Sequence, residues 1–157
     1  MTSKKRVVLI TGAESGIGKS TSKIFLDNGY KVICTYLKNN NNKNTKDIEY
    51  HRIDITKNKD WENLALYIKK KFKKIDVLVN SAGVRLSGNL ETTSMSDWSY
   101  HLNNNVTGTF LACKYILPFL KKAKNSSIIN VASINSIRGV KNMLAYATSK
   151  SAIISFT

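Results

Sequence analysis

The run Arg6-Val7-Val8-Leu9-Ile10-Thr11 breaks directly into Gly12-Ala13-Glu14-Ser15-Gly16-Ile17-Gly18, and that junction leaves few folds open to the chain. A short β-branched run closed by glycine reads as a buried parallel strand. The glycines that follow read as a turn opening a helix, whose first-turn N–H groups can receive an anion. Gly12 permits the tight turn, Gly16 lets the backbone approach a pyrophosphate, and Gly18 lets helix and strand pack closely. The same stretch also fits a relaxed triphosphate loop running from Ala13 to Gly18-Lys19-Ser20, with Lys19 on phosphates and Ser20 on magnesium. A triphosphatase needs a strand-terminal Asp for that metal as well. The strand expected at 75–80 ends Leu78-Val79-Asn80, so the dinucleotide reading is favoured and Lys19 becomes a solvated helix residue.

Downstream the chain alternates. A helix is expected over 17–28, with Ile17, Ile24 and Phe25 as its apolar positions and Asn28-Gly29 as its stop. Strands are expected at 31–36, 48–53, 75–80 and 127–131, with a polar loop over 37–47. Trp61, Leu64, Ala65, Ile68 and Phe72 mark one helical face, a long helix covers about 104–121 with Pro118 near its end, and another begins at Tyr146. This alternation predicts a doubly wound, Rossmann-like parallel sheet in three α/β/α layers, with ligands bound outside the carboxyl ends of the strands. A length of 157 residues with 42% hydrophobic content fits one continuous domain, 1–157.

Lys4-Lys5-Arg6 precedes too short an apolar run for a signal segment, and no run approaches the roughly 20 apolar residues of a membrane span. The expectation is a cytoplasmic protein without a membrane partner. Cys34 and Cys113 have no metal-spaced neighbour and read as reduced, buried thiols. His51 and His101 are isolated and read as packing or surface residues, so no metal site is expected. A formal charge of +15 suggests nucleic acid, but Lys69-Lys70-Lys71-Phe72-Lys73-Lys74 and Lys121-Lys122-Ala123-Lys124 fall where helices should end. Cations are favoured there by the helix dipole, so the charge reads as solvated surface.

Near the end of the sequence stand Ser133, Tyr146 and Lys150. Tyr146 and Lys150 are one helical turn apart and face the same way. A neighbouring ammonium and an oxidised nicotinamide both favour phenolate over phenol, which lets Tyr146 serve as acid in reduction and base in oxidation. Ser133 would hydrogen-bond the substrate oxygen, and Lys150 would also hold nicotinamide ribose hydroxyls. Taken singly, each has a plain alternative: a half-buried aromatic, a solvated lysine and a loop or cap serine. The order of all the motifs along one chain favours the joint reading.

In that order the chain resembles the compact, single-domain short-chain dehydrogenases/reductases. Besides Thr11 to Gly18, the resemblance rests on Asp54-Ile55, Asn80-Ser81-Ala82-Gly83, Asn105-Val106-Thr107-Gly108, Ile129-Asn130-Val131-Ala132-Ser133 and Tyr146-Ala147-Thr148-Ser149-Lys150. The family's usual Asn-Asn-Ala-Gly reads Asn-Ser-Ala-Gly here, with Ser81 still able to hydrogen-bond. The resemblance implies that Gly12, Ser15, Gly16, Ile17, Gly18, Tyr36, Lys38, Asp54, Ile55, Asn80, Ala82 and Gly83 bind the cofactor together with Tyr146 and Lys150. It implies Asn105 as a link in a proton relay, and Asp54 as an adenine contact unless it caps its strand.

The activity implied is hydride transfer between NAD(P)(H) and a small-molecule ketone or secondary alcohol, with a 3-oxoacyl carrier-protein reductase or a sugar dehydrogenase slightly favoured. Tyr36, not an acid, ends the second strand, while Lys38 or Lys43 could meet a 2′-phosphate with help from Ser15. That favours NADP(H), with NAD(H) second. The family also implies two more strands after the fifth, so the chain is expected to be a fragment of a homo-oligomeric protein. Its fifth strand would be an edge, its Ile153-Ile154-Phe156 face exposed, and its turnover slight. A non-catalytic dinucleotide-binding remnant and, on charge alone, a nucleic-acid binder are the rival expectations.

Overall fold

The computed structural model describes residues 5–38 and 43–157. Lys4 of the basic leader and residues 39–42 of the polar loop lie outside the described residues. Five strands, β1 (Val7–Thr11), β2 (Lys31–Tyr36), β3 (Ile48–Arg52), β4 (Val77–Asn80) and β5 (Ser127–Asn130), form one parallel sheet in the order β3-β2-β1-β4-β5. Strand order reverses beside β1: the chain first moves outward through β2 and β3, then returns to β4 on the other side. The carboxyl ends of β1 and β4 thus diverge into a crevice where a ligand can bind.

Burial follows the period-two alternation of β1. Val7 and Leu9 join Ile33 and Leu78 in a core closed by Trp61, Leu64 and Ile68 of α2 (Asn58–Lys71) and by Leu111, Ile116 and Phe119 of α4 (Gly108–Leu120). Val8 and Ile10 face the other way, into a core with Val32, Cys34 and Val79 against which Phe25 and Leu26 of α1 (Gly16–Asp27) pack. Helices on both faces make the three-layer α/β/α sandwich that the alternation predicts.

Several sequence expectations need correction. Ile17 and Ile24 are not the inner face of α1, being 61% and 62% exposed; its buried positions are Gly18 and Ser22. Small residues let this helix lie close to the sheet, which an apolar-residue pattern cannot signal. The long helix expected over 104–121 is one run from α3 (Met95–His101) through a π-helical turn (Leu102–Thr107) into α4. α5 (Leu144–Phe156) begins two residues before Tyr146, fixed by Leu144 N–H donating to Gly88 O at 3.0 Å. On that helix Ile153 is buried, although Ile154 and Phe156 are exposed. β5 does lie at a sheet edge, with Ile128 and Ile129 exposed.

The lysine-rich segments divide between structural and solvated roles. Lys69, Lys70 and Lys71 occupy the last turn of α2, and the second cluster begins just after α4. Lys71 pairs with Glu49 at 2.7 Å and Lys74 with Asp76 at 2.7 Å. Burial pushes the Cys34 thiol up to about 12 and raises Cys113 as well, so neither is poised for thiolate chemistry. No helix among the described residues is long and apolar enough to cross a membrane, and no metal-binding group of His, Cys, Asp and Glu occurs among them.

Candidate active site

The crevice beside β1 is a cleft of about 600 Å³. Its floor is the glycine turn. Gly12 and Gly16 have φ of +66° and +50°, the left-handed region that glycine enters without strain. A side chain on Gly12 would press its Cβ to 2.8 Å from Ala82 Cα, and one on Gly18 would run into the carbonyl of Gly12. Thr11 ties the neighbouring turn in place, its Oγ1 accepting from Ser81 N–H at 3.1 Å and Ala82 N–H at 3.0 Å. Ser15 precedes α1 without a side-chain cap bond, which leaves the first-turn amides to an anionic ligand.

Gly12, Ser15, Gly16, Ile17, Tyr36, Lys38, Ile55, Ala82 and Gly83 line the cleft. Gly18 serves the packing of α1 rather than the lining. Asp54 is not among the residues lining the cleft; its Oδ1 accepts from Thr56 N–H at 2.9 Å and Thr56 Oγ1–H at 2.7 Å, bonds of the kind the cap alternative calls for. Ile53 and Ile55 form the wall there. Asn80 is buried and donates to Asn130 Oδ1 at 2.8 Å and toward Cys113 Sγ at 3.4 Å, bridging β4 to β5 from beneath.

Asn105 lies in the π-helical turn and is buried. Its Oδ1 accepts from Val84 N–H at 2.7 Å while its Nδ2 donates to Val84 O at 3.0 Å and Ser149 Oγ at 2.8 Å. One amide thereby fixes the segment after β4 and joins it to α5. Lys150 is buried too, and its Nζ donates to Val131 O at 2.6 Å. The two meet behind Gly83: a Cβ there would lie 3.0 Å from Asn105 Oδ1 and 3.6 Å from Lys150 Nζ. Ser133 precedes a 3₁₀ turn (Ile134–Ser136), with its Oγ accepting from Asn135 N–H at 3.2 Å. Ser151 Oγ–H bonds Ser136 O at 2.8 Å and holds that turn on α5.

Tyr146 is half-buried, and the edge of the His101 ring approaches its ring at 6.4 Å between centroids. His101 is locked as one tautomer. Its Nε2 accepts from Leu86 N–H at 2.9 Å, so Nδ1 carries the proton donated to Asp97 O at 2.7 Å. This buried role is packing, as read from the sequence, but it also places a wall beside Tyr146. Glu14, Thr35, Leu37, Val84, Tyr100 and Asn104 line the cleft as well and were missed. The strand-end rule could have found Thr35, Leu37 and Val84. Tyr100 and Asn104 depend on the π-helical turn, for which the sequence holds no periodic signal.

Desolvation holds the Lys150 ammonium below the ordinary lysine value of 10.5. The folded chain binds this proton less readily than the unfolded one, so the stability linked to Lys150 rises as pH climbs through the folded value towards 10.5. Replacing a buried charge by an apolar chain of similar length is often neutral or stabilising. Lys150→Met is expected to keep or raise the thermal midpoint of the ligand-free chain while weakening dinucleotide binding. Lost stability in a melting curve, beyond the roughly 1 kcal/mol of its bond to Val131 O, would count against this balance.

A sheet that switches direction beside β1, a glycine turn under an open helix end and a buried lysine one turn from a tyrosine define a doubly wound α/β protein with a cleft at its switch point. A family model for short chain dehydrogenase matches residues 6–157, and the chain belongs to that family. It is 32% identical over 160 residues to the 3-oxoacyl-[acyl-carrier-protein] reductase FabG of Thermotoga maritima, covering 97% of this chain and 65% of that one. The solved structure of ElxO with NADP bound superposes with a TM-score of 0.87 at 32% identity, covering 98% of this chain and 66% of the other. A short chain dehydrogenase from Leptospira borgpetersenii with bound NAD+ superposes with a TM-score of 0.90 at 27% identity, covering 98% and 63%. The chain thus spans a little under two thirds of the length of these relatives.

Proposed function

We propose that the chain carries the cofactor-binding and proton-transfer groups of an oxidoreductase that moves hydride between a nicotinamide dinucleotide and a small-molecule ketone or secondary alcohol. The observation that supports this most directly is the position of Lys150, buried on α5 one turn after Tyr146, with Nζ behind the Gly83 segment that lines the cleft. A buried cation is costly, and its retention next to a nucleotide-shaped cleft fits a group that acts on a ligand. The left-handed Gly12 and Gly16, the close approach at Ala82 and the open end of α1 suit a pyrophosphate.

When bound, the dinucleotide supplies or accepts the hydride at the carbonyl carbon. The chain's own residues manage the oxygen. Tyr146 gives its hydroxyl proton to the oxygen as the alcohol forms and takes it back in oxidation. Ser133 donates a hydrogen bond to that oxygen, and Lys150 favours the phenolate and holds ribose hydroxyls. Asn105 keeps Val84 and Ser149, and with them both walls, in register, and its place beside Lys150 suits a relay of protons. Asp54 would act through its turn, and Asn80 through the β4–β5 link. Exposed Phe110 and Leu117 on α4 fit association with further copies, and lysines gathered at the ends of α2 and α4 favour a solvated surface over a nucleic-acid site.

Dinucleotide oxidation followed by absorbance against a panel of 3-oxoacyl thioesters, sugars and simple ketones tests the reading. Turnover with at least one carbonyl class, lost on substitution of Tyr146, is expected. Binding of NAD(P)H without turnover on any carbonyl would favour the non-catalytic remnant instead.

A further inference from the structure

The absence of an acid at the end of β2 led the sequence towards NADP(H), yet the folded chain brings a carboxylate to that end of the cleft from another segment. Glu14 lies in the glycine turn and lines the cleft with Tyr36, Leu37 and Lys38. Its Oε1 is only weakly engaged, accepting from Leu37 N–H at 3.5 Å, near the limit of a hydrogen bond. Its Oε2 is buried and has no hydrogen-bond partner among the described residues. A carboxylate accepts and cannot donate, so an unpaired buried oxygen calls for a donor. We infer that Glu14 takes the part of the missing β2 acid, accepting a hydrogen bond from the adenosine ribose hydroxyls and making NAD(H) the preferred cofactor. The inference rests on the dinucleotide reading above.

The surrounding charges decide the sign. Lys38 and Arg52 are both exposed, and Arg52 is already committed through Nε–H to Leu37 O at 3.1 Å. The pull of exposed cations on a 2′-phosphate is weakened by water and salt. The carboxylate of Glu14 is screened less, because one of its oxygens is buried, so its repulsion of a phosphate dianion outweighs them. The Leu37 amide, a natural phosphate donor at this strand end, is turned toward Glu14 as well. A ribose with free hydroxyls meets neither obstacle: a small rotation of the carboxylate gives it a donor it lacks.

Fluorescence titration of the purified chain with NADH and NADPH, and competition by adenosine 5′-monophosphate against adenosine 2′,5′-bisphosphate, separate the possibilities. NADH is expected to bind about tenfold or more tighter than NADPH, with the adenosine pair ranked the same way. Glu14→Gln and Glu14→Ala should bring the two cofactors within about threefold of each other. Tighter NADPH binding by the unaltered chain overturns the assignment, and so does a cofactor ratio that neither variant changes. Both of those outcomes leave the dinucleotide reading standing, whereas failure of NADH, NADPH and both adenosine nucleotides to bind would overturn that reading and the role of Glu14 with it. Should either variant fail to fold, the ratio measured for the unaltered chain still decides the preference.

Discussion

Turnover in Tyr146→Phe is expected to fall by about a hundredfold to ten-thousandfold, the usual worth of a positioned acid or base. Dinucleotide affinity should stay within a few fold of the unaltered chain. The separation follows from the geometry: Tyr146 does not line the cleft beside β1, and its hydroxyl makes no hydrogen bond to the described residues. Removing that oxygen leaves no buried partner orphaned, so unfolding free energy should change by no more than about 0.5 kcal/mol. Steady-state kinetics beside a urea titration read all three quantities. Retained kcat in Tyr146→Phe would sink the proton-transfer mechanism, and a large loss of stability would show that the ring oxygen is structural.

Gly18→Ala should do the opposite, damaging the fold and the cleft together. The added Cβ would run into the Gly12 carbonyl oxygen, with the Gly12 carbonyl carbon at 2.8 Å and Ala13 Cα at 3.1 Å. These are backbone atoms of the turn itself, which cannot swing aside as a lysine tip would. Either α1 lifts from the sheet or the turn distorts, at a cost of about 1–3 kcal/mol or more. NADH affinity should drop at least about tenfold, since the helix end and its amides move with the turn. Gly139→Ala is the matched control: nothing lies within 4 Å of its added Cβ, so its effect should stay within about 0.5 kcal/mol. Equal stability and NADH affinity in the two variants would contradict the packing account.

The framework of the sheet was legible because β1, β2, β4 and β5 are short runs rich in Val and Ile: β2 spans the residues expected, and β3, β4 and β5 differ only at their ends. The glycine turn was legible because its spacing carries a backbone requirement. Other parts were hidden for physical reasons. α1 fully buries only glycine and serine, with Phe25 and Leu26 partly buried near its end, so most of its inner face carries no apolar stripe. The π-helical turn shifts the helical phase, concealing why Tyr100 and Asn104 reach the cleft. Glu14 was hidden because a rule about the end of β2 looks along one strand, whereas the acid comes from the loop after its neighbour. Asp54 and Asn80, read as ligand contacts from their place in motifs, also make hydrogen bonds within the fold that the motifs do not signal.

The amide of Asn105 presents both a donor and an acceptor to a single residue, Val84, much as an adjoining strand would. Position 105 is therefore constrained by polarity rather than by shape. Aspartate, nearly identical in outline, cannot donate to Val84 O or to Ser149 Oγ, and its charge would lie buried in their place. Leucine would fill the space and strand both backbone groups of Val84. Scoring schemes that treat Asn and Asp as close exchanges will therefore rate as mild a change that unfastens the cleft wall from the helix bearing Tyr146 and Lys150.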